Sequence, residues 1–130
     1  MLISMPNDLV LIVDDNEGIR SLLKEVLTNN CYQAEVASNG AEAIEKFHKC
    51  VPSVVLLDSK MPGMNGIEVA EKLKALSSPT PPIIMISAYS EQGDIKIAQE
   101  KGLISYCLTK PFDINEIVKL LYTILFDEVN

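Results

Sequence analysis

A chain of 130 residues with 48% hydrophobic content can build one domain around a single sizeable core, and is too apolar to be disordered. Eighteen acidic residues against eleven basic ones leave a formal charge of −7, which disfavours nucleic acid and anionic membranes as direct partners. No apolar run approaches the roughly 20 residues a bilayer demands, and Met1-Leu2-Ile3-Ser4-Met5-Pro6 has neither the basic start nor the apolar stretch of a secretory signal, so a cytoplasmic location is expected.

The first element is the run Leu9-Val10-Leu11-Ile12-Val13, which does not alternate with polar residues and so reads as a strand buried on both faces. It closes on two neighbouring acids, Asp14-Asp15. Ile19, Leu22, Leu23, Val26 and Leu27 then recur at helical spacing, and Asn29-Asn30 punctuates the end of that helix. Gln33 to Ala37 is a short, weakly apolar strand near an edge. Ser38-Asn39-Gly40 offers N-cap chemistry to a helix carrying Ala41, Ile44 and Phe47.

Pro52-Ser53 opens the third strand, Val54-Val55-Leu56-Leu57, which ends in a third acid, Asp58. The loop Met61-Pro62-Gly63-Met64-Asn65-Gly66 leads into a helix with Ile67, Val69, Ala70 and Leu73. Ser77 to Pro82 is proline-rich, stiff and not helical. It delivers the fourth strand, Ile83-Ile84-Met85-Ile86, which stops at Ser87-Ala88. Glu91 to Lys101 is the weakest helix, with a thin apolar stripe and Gly93 inside it; Gly102 ends it. The fifth strand, Ser105 to Thr109, runs into Lys110-Pro111-Phe112. Asp113 and Glu116 form a capping-box pattern for the last helix, with Phe112 and Ile117 at staple positions.

Five strand–helix units with short connections predict an α/β doubly wound parallel sheet with helices on both faces. In such sheets ligands sit beyond the carboxyl ends of the strands. Asp14-Asp15, Asp58, Ser87 and Lys110 all fall at that edge. Two carboxylates about 4 Å apart repel by roughly 4 kcal/mol at an effective dielectric near 20. That is a large share of a domain's net stability of about 5–15 kcal/mol. The acids therefore need a divalent cation, a lysine, or a raised pKa that keeps one of them protonated. With no His or Cys beside them, oxygen donors favour a hard cation such as Mg²⁺.

Together these groups suit phosphoryl transfer. An ionised carboxylate is a nucleophile that forms an acyl phosphate without a general base. A hydroxyl and an ammonium group complete a cage for phosphoryl oxygens. Two other classes fit less well. An aspartyl-nucleophile phosphohydrolase of the haloacid dehalogenase kind places a second acid two residues after the nucleophile, where this chain has Lys60. A flavodoxin-like nucleotide binder needs a Gly-rich loop after the first strand, where this chain has an acid pair that repels phosphate. The odd and widely spaced Cys31, Cys50 and Cys107 point to reduced thiols, not to a disulfide framework or zinc site. His48 reads as a solvated side chain.

Asp14-Asp15, the segment from Asp58 to Gly66, Ser87-Ala88 and Lys110-Pro111-Phe112 resemble the receiver domain of two-component response regulators, over roughly Asp8 to Phe126. The resemblance implies the flavodoxin-like strand order 2-1-3-4-5. It implies a receiver domain over residues 8–127 behind a short N-terminal extension, residues 1–7. Asp58 would be the phosphoacceptor, taking a phosphoryl group from a histidine kinase or histidine phosphotransfer protein. Asp14, Asp15, Asp58 and the backbone carbonyl of Lys60 would bind Mg²⁺ (or Mn²⁺). Ser87 and Lys110 would each contact a phosphoryl oxygen, and Lys110-Pro111 would be cis. Such a chain is a signalling phosphoacceptor that acts only on its own phosphorylation state. It switches a surface of the fourth helix, fifth strand and fifth helix toward a downstream target, an output domain or a phosphorylation-dependent homodimer.

One position departs from the family pattern. The aromatic switch residue usually stands three before the lysine; here that is Cys107, with Tyr106 one earlier. Side chains alternate along a strand, so Tyr106 would serve only if a bulge turned it round. Lys60, two past the acceptor, and Tyr89, two past Ser87, flank the path of attacking water in receivers and would tune phosphoryl lifetime.

Overall fold

Residues 8–126 are described by the computed structural model, and in them the apolar runs form a five-stranded parallel sheet. Residues 1–7, and Asp127 at the end of the expected domain, lie outside the described residues. The strands are β1 (Leu9–Val13), β2 (Gln33–Ala37), β3 (Val54–Asp58), β4 (Ile83–Ser87) and β5 (Tyr106–Thr109), in the spatial order 2-1-3-4-5. The helices are α1 (Glu17–Asn29), α2 (Gly40–Lys49), α3 (Gly66–Leu76), α4 (Gln92–Glu100) and α5 (Ile114–Phe126). This is the doubly wound, flavodoxin-like order, reversing direction between β1 and β3.

Alternation along each strand sorts the core into two layers. Leu11, Val13, Val55, Leu57 and Met85 pack with Phe47 of α2, Val69 and Leu73 of α3, and Ile95 of α4. Val10, Ile12, Val54, Leu56, Ile84 and Ile86 pack with Leu23 and Leu27 of α1 and Ile117 and Leu121 of α5. Strands β3 and β4 are buried along their whole length, which is why their sequences do not alternate with polar residues.

Asparagines start three of the helices, and each side-chain oxygen accepts an N–H three residues on: Asn16 from Ile19, Asn39 from Glu42, Asn65 from Glu68. Asn65 and Glu68 complete a capping box. The Asp113–Glu116 pattern gives half of one. Glu116 Oε1 accepts the Asp113 N–H at 3.0 Å, while Asp113 Oδ1 takes the N–H of Asn115. Phe112 and Ile117 share one apolar cluster, as their staple positions predict.

The end of α1 carries a feature the sequence did not announce. Tyr32 N–H reaches Leu27 O and Cys31 N–H reaches Thr28 O, a Schellman ending, with Cys31 at φ 71° where glycine is usual. A 3-10 turn, Tyr89–Glu91, precedes α4, and Gly102 ends that helix at φ 77°. Lys110–Pro111 is cis, as is Ser78–Pro79 in the stiff connection. On the outer strand β2, Lys46 Nζ caps the Val36 carbonyl at 2.5 Å and lies 3.4 Å from Glu35.

No bulge interrupts β5. Its register against β4 runs unbroken from Ile84–Tyr106 to Ser87–Thr109. The preceding Ser105 N–H already bonds Ile83 O, so pairing is in register before the strand begins. Cys107 packs with the core layer that holds Met85, and Tyr106 is an exposed ring of opposite parity. Among the described residues, no helix is long and apolar enough to cross a membrane.

Candidate functional site

The carboxyl ends of β1 and β3 lie side by side, with Val13 paired to Leu57. The residues after them therefore meet. Asp14, Asp15 and Asp58 each offer a carboxylate oxygen, and these atoms lie within 4.8 Å of one another. Asp14 is 5% and Asp58 3% exposed, whereas Asp15 is open to solvent. Lys110, just past β5, brings Nζ to 2.9 Å from Asp58 Oδ1. These residues line one open cleft together with Asn16, Lys60 and Phe112.

Local bonds fix the acids. Asp14 Oδ1 accepts the Asn16 N–H at 2.9 Å, and the Asp14 carbonyl accepts Arg20 Nη1 at 2.8 Å. Burial pushes the Asp14 carboxyl above its ordinary value; the Asn16 N–H opposes this and the Asp58 charge adds to it. Burial also raises Asp58, more than Lys110 and the Lys60 N–H lower it. For Lys110 burial works downward, but the hydrogen bond and charge of Asp58 prevail and raise it. One ammonium thus leaves the three-acid cluster with excess negative charge.

Behind Asp58 the chain is tightly packed. Ser59 N–H bonds Ile86 O at 2.9 Å, and Gly66 N–H bonds Ser59 O at 2.9 Å, tying the start of α3 to the end of β3. A Cβ on Gly66 would meet Asp58 O at 2.6 Å and Ser59 Cα at 2.8 Å, so only glycine fits.

Ser87 closes β4 and is completely buried. Its Oγ accepts from Gln92 Nε2 at 3.1 Å and lies 3.5 Å from Cys107 Sγ. Cys107, not Tyr106, is therefore the β5 side chain against Ser87. Lys60 is exposed at the cleft rim, and Tyr89 is 82% exposed. The sequence reading missed Glu91. Its Oε1 accepts from Ser59 Oγ at 2.7 Å and from the Ala88 N–H at 2.8 Å. Burial alone would raise Glu91; those two bonds, with Lys60 and Lys110 nearby, bring it below the usual carboxylate range. Its three-residue spacing from Ala88 is the one hint the sequence carried. His48 is exposed, and Cys31, Cys50 and Cys107 are free thiols.

The family model described as the response regulator receiver domain matches residues 10–122. Sporulation initiation phosphotransferase F of Bacillus subtilis is 44% identical over 113 residues, which is 87% of this chain and 90% of that protein. The DNA-binding transcriptional regulator NtrC of Escherichia coli is 35% identical over 117 residues, covering 90% of this chain but 24% of that protein. The crystal structure of response regulator protein TrrA from Thermotoga maritima, in complex with Mg(2+)-BeF, superposes with a TM-score of 0.79 at 32% identity, over 91% of this chain and 99% of that one. On the family match and these relatives, with the fold and the converging acids, this chain belongs to the response regulator receiver domain family.

Proposed function

We propose that the chain is the phosphoacceptor of a two-component relay and that Asp58 carries the phosphoryl group. The observation that supports this most is the convergence of Asp14, Asp15 and Asp58 with Lys110 Nζ 2.9 Å from the Asp58 carboxylate. An Asp58 oxygen attacks phosphorus on a phosphohistidine of the donor protein. The P–N bond breaks, its electron pair returns to the imidazole, and an acyl phosphate forms on Asp58. Lys110 then pairs with a phosphoryl oxygen and Ser87 donates to another. Asp58 needs no base, because its carboxylate reacts in the ionised form.

The donor set suits a hard divalent cation: carboxylate oxygens on neighbouring strand ends, with more negative charge than Lys110 offsets. Asp14, Asp15, Asp58 and the Lys60 carbonyl would hold Mg²⁺ (or Mn²⁺), which when bound supplies neutralising charge for the phosphoryl oxygens. The Mg(2+)-BeF complex of TrrA is in keeping with such a site. Lys60, at the rim of the cleft, and the exposed Tyr89, two past Ser87, tune phosphoryl lifetime. Cys107, against Ser87, takes the place of the aromatic switch. The donor is a histidine kinase or a histidine phosphotransfer protein. The receiver passes the signal to a separate target or to an output domain, as the greater length of NtrC illustrates.

Incubation with a small phosphodonor and Mg²⁺, followed by intact-mass measurement, tests the reading. The expected result is one added phosphoryl group, lost in Asp58→Asn and with chelator. Undiminished labelling of Asp58→Asn overturns the assignment.

A further inference from the structure

Two consecutive side chains at the entry to α4 reach back to the acceptor edge. Glu91 Oε1 spans two strand ends, accepting from Ser59 Oγ beyond β3 and from the Ala88 N–H beyond β4. Gln92 Nε2 donates to Ser87 Oγ at 3.1 Å and to the Ala88 carbonyl at 3.3 Å. Turn capping accounts for the Ala88 N–H contact. It accounts neither for the crossing to Ser59, the residue next to the acceptor, nor for the amide on the Ser87 hydroxyl.

We infer that Glu91 and Gln92 are positioning residues that latch Ser87 and the β4–α4 turn in the unphosphorylated arrangement, and that phosphorylation has to open this latch. The inference rests on the phosphoacceptor reading above and adds what sets its resting state. Three physical points support it. Ser87 is wholly buried and its hydroxyl sits between Gln92 and Cys107, so a phosphoryl group on Asp58 competes with that arrangement for it. The Glu91 carboxylate occupies the Ala88 N–H, a donor at the edge where new phosphoryl oxygens arrive. Its charge also lies near the same Lys110 that pairs with Asp58. A dianionic group on Asp58 repels that charge and draws Lys110 and Ser87 to itself. Contacts made in only one of two states set the population of each.

The test uses beryllofluoride with Mg²⁺ as the phosphoryl mimic and two variants. Gln92→Leu removes the donor to Ser87. Its affinity for beryllofluoride is expected to rise about two- to tenfold, the equivalent of one neutral hydrogen bond of about 0.5–1.5 kcal/mol lost from the resting state alone. Simple damage to the fold would weaken binding instead. Glu91→Ala frees the Ala88 amide, whose hydrogen exchange without any mimic is expected to quicken by about tenfold or more. Unchanged or weaker affinity in Gln92→Leu, or an Ala88 amide as protected in Glu91→Ala as in the unsubstituted chain, overturns the latch. If the unsubstituted chain binds the mimic and the variants match it, the latch alone fails. If the unsubstituted chain takes up no beryllofluoride, the phosphoacceptor reading fails and the latch with it.

Discussion

Lys110 Nζ stands 2.9 Å from Asp58 Oδ1 across 52 residues of sequence, joining an exposed ammonium to a carboxylate that is 3% exposed. Lysine is the half of this pair that solvent reaches, so its loss is felt through Asp58. Lys110→Met leaves the buried acid without its cation and is expected to lower cation-free stability at neutral pH by about 1–3 kcal/mol, read from urea unfolding midpoints. Mg²⁺ is expected to recover most of that loss.

The acids make stability depend on pH in a defined direction. Burial raises Asp14 and Asp58 above their ordinary values, so the folded chain binds those protons more tightly than the unfolded one. Their contribution is fully present below the unfolded value near 3.8 and is lost as pH rises through the folded values. Asp14→Asn keeps an oxygen for the Asn16 N–H but removes one charge. It is expected to match the unsubstituted chain at low pH and to exceed it by about 1–2 kcal/mol at pH 7 without divalent cations. Added Mg²⁺ is expected to reverse that order, because the variant lacks one acid of the proposed cation site. Thermal melts across pH, with and without Mg²⁺, measure both effects.

Gly66 gives a steric prediction. A methyl group there meets the Asp58 carbonyl, Ser59 Cα and Met85 Sδ at 2.6 to 2.9 Å, and the first two are backbone that cannot turn aside. Gly66→Ala is expected to cost about 1–3 kcal/mol and, on the proposed role of Asp58, to slow phosphodonor labelling, since it displaces the end of β3. Gly63→Ala bears on a different term: no neighbour crowds a Cβ there, and the residue sits at φ 81°. Its cost is expected to be about 1–2 kcal/mol from backbone conformation alone. Comparing the two labelling rates at matched stability separates displacement of Asp58 from general weakening.

Cys31 occupies the left-handed position of the α1 ending. Cys31→Gly retains both closing hydrogen bonds, relieves the side-chain strain and is expected to stabilise by about 0.5–1 kcal/mol. A higher urea midpoint with an unchanged slope checks it.

The strands were legible because β1, β3 and β4 are buried on both sides and carry uninterrupted apolar residues. Their ends were legible because an acid or hydroxyl follows each run, and parallel winding brings those ends to one edge. What stayed hidden depends on backbone detail that side-chain chemistry does not encode. The αL residue at Cys31 is one case, since nothing in a cysteine announces positive φ. The path of β5 is another: whether a bulge turns Tyr106 toward Ser87 is a matter of backbone pairing, and the ladder with β4 is continuous. Glu91 and Gln92 were hidden for a third reason: Ser59 and Ser87 lie at the ends of two different strands, and no local periodicity marks such contacts.

Lys46 covering the Val36 carbonyl has a bearing on how copies of this protein meet. Strand β2 is the outermost strand on its side, and a free carbonyl there would accept an N–H from any extended peptide that slid alongside. The ammonium fills that acceptor and puts a charge where an incoming backbone would lie. That charge disfavours the pairing of another sheet along this flank.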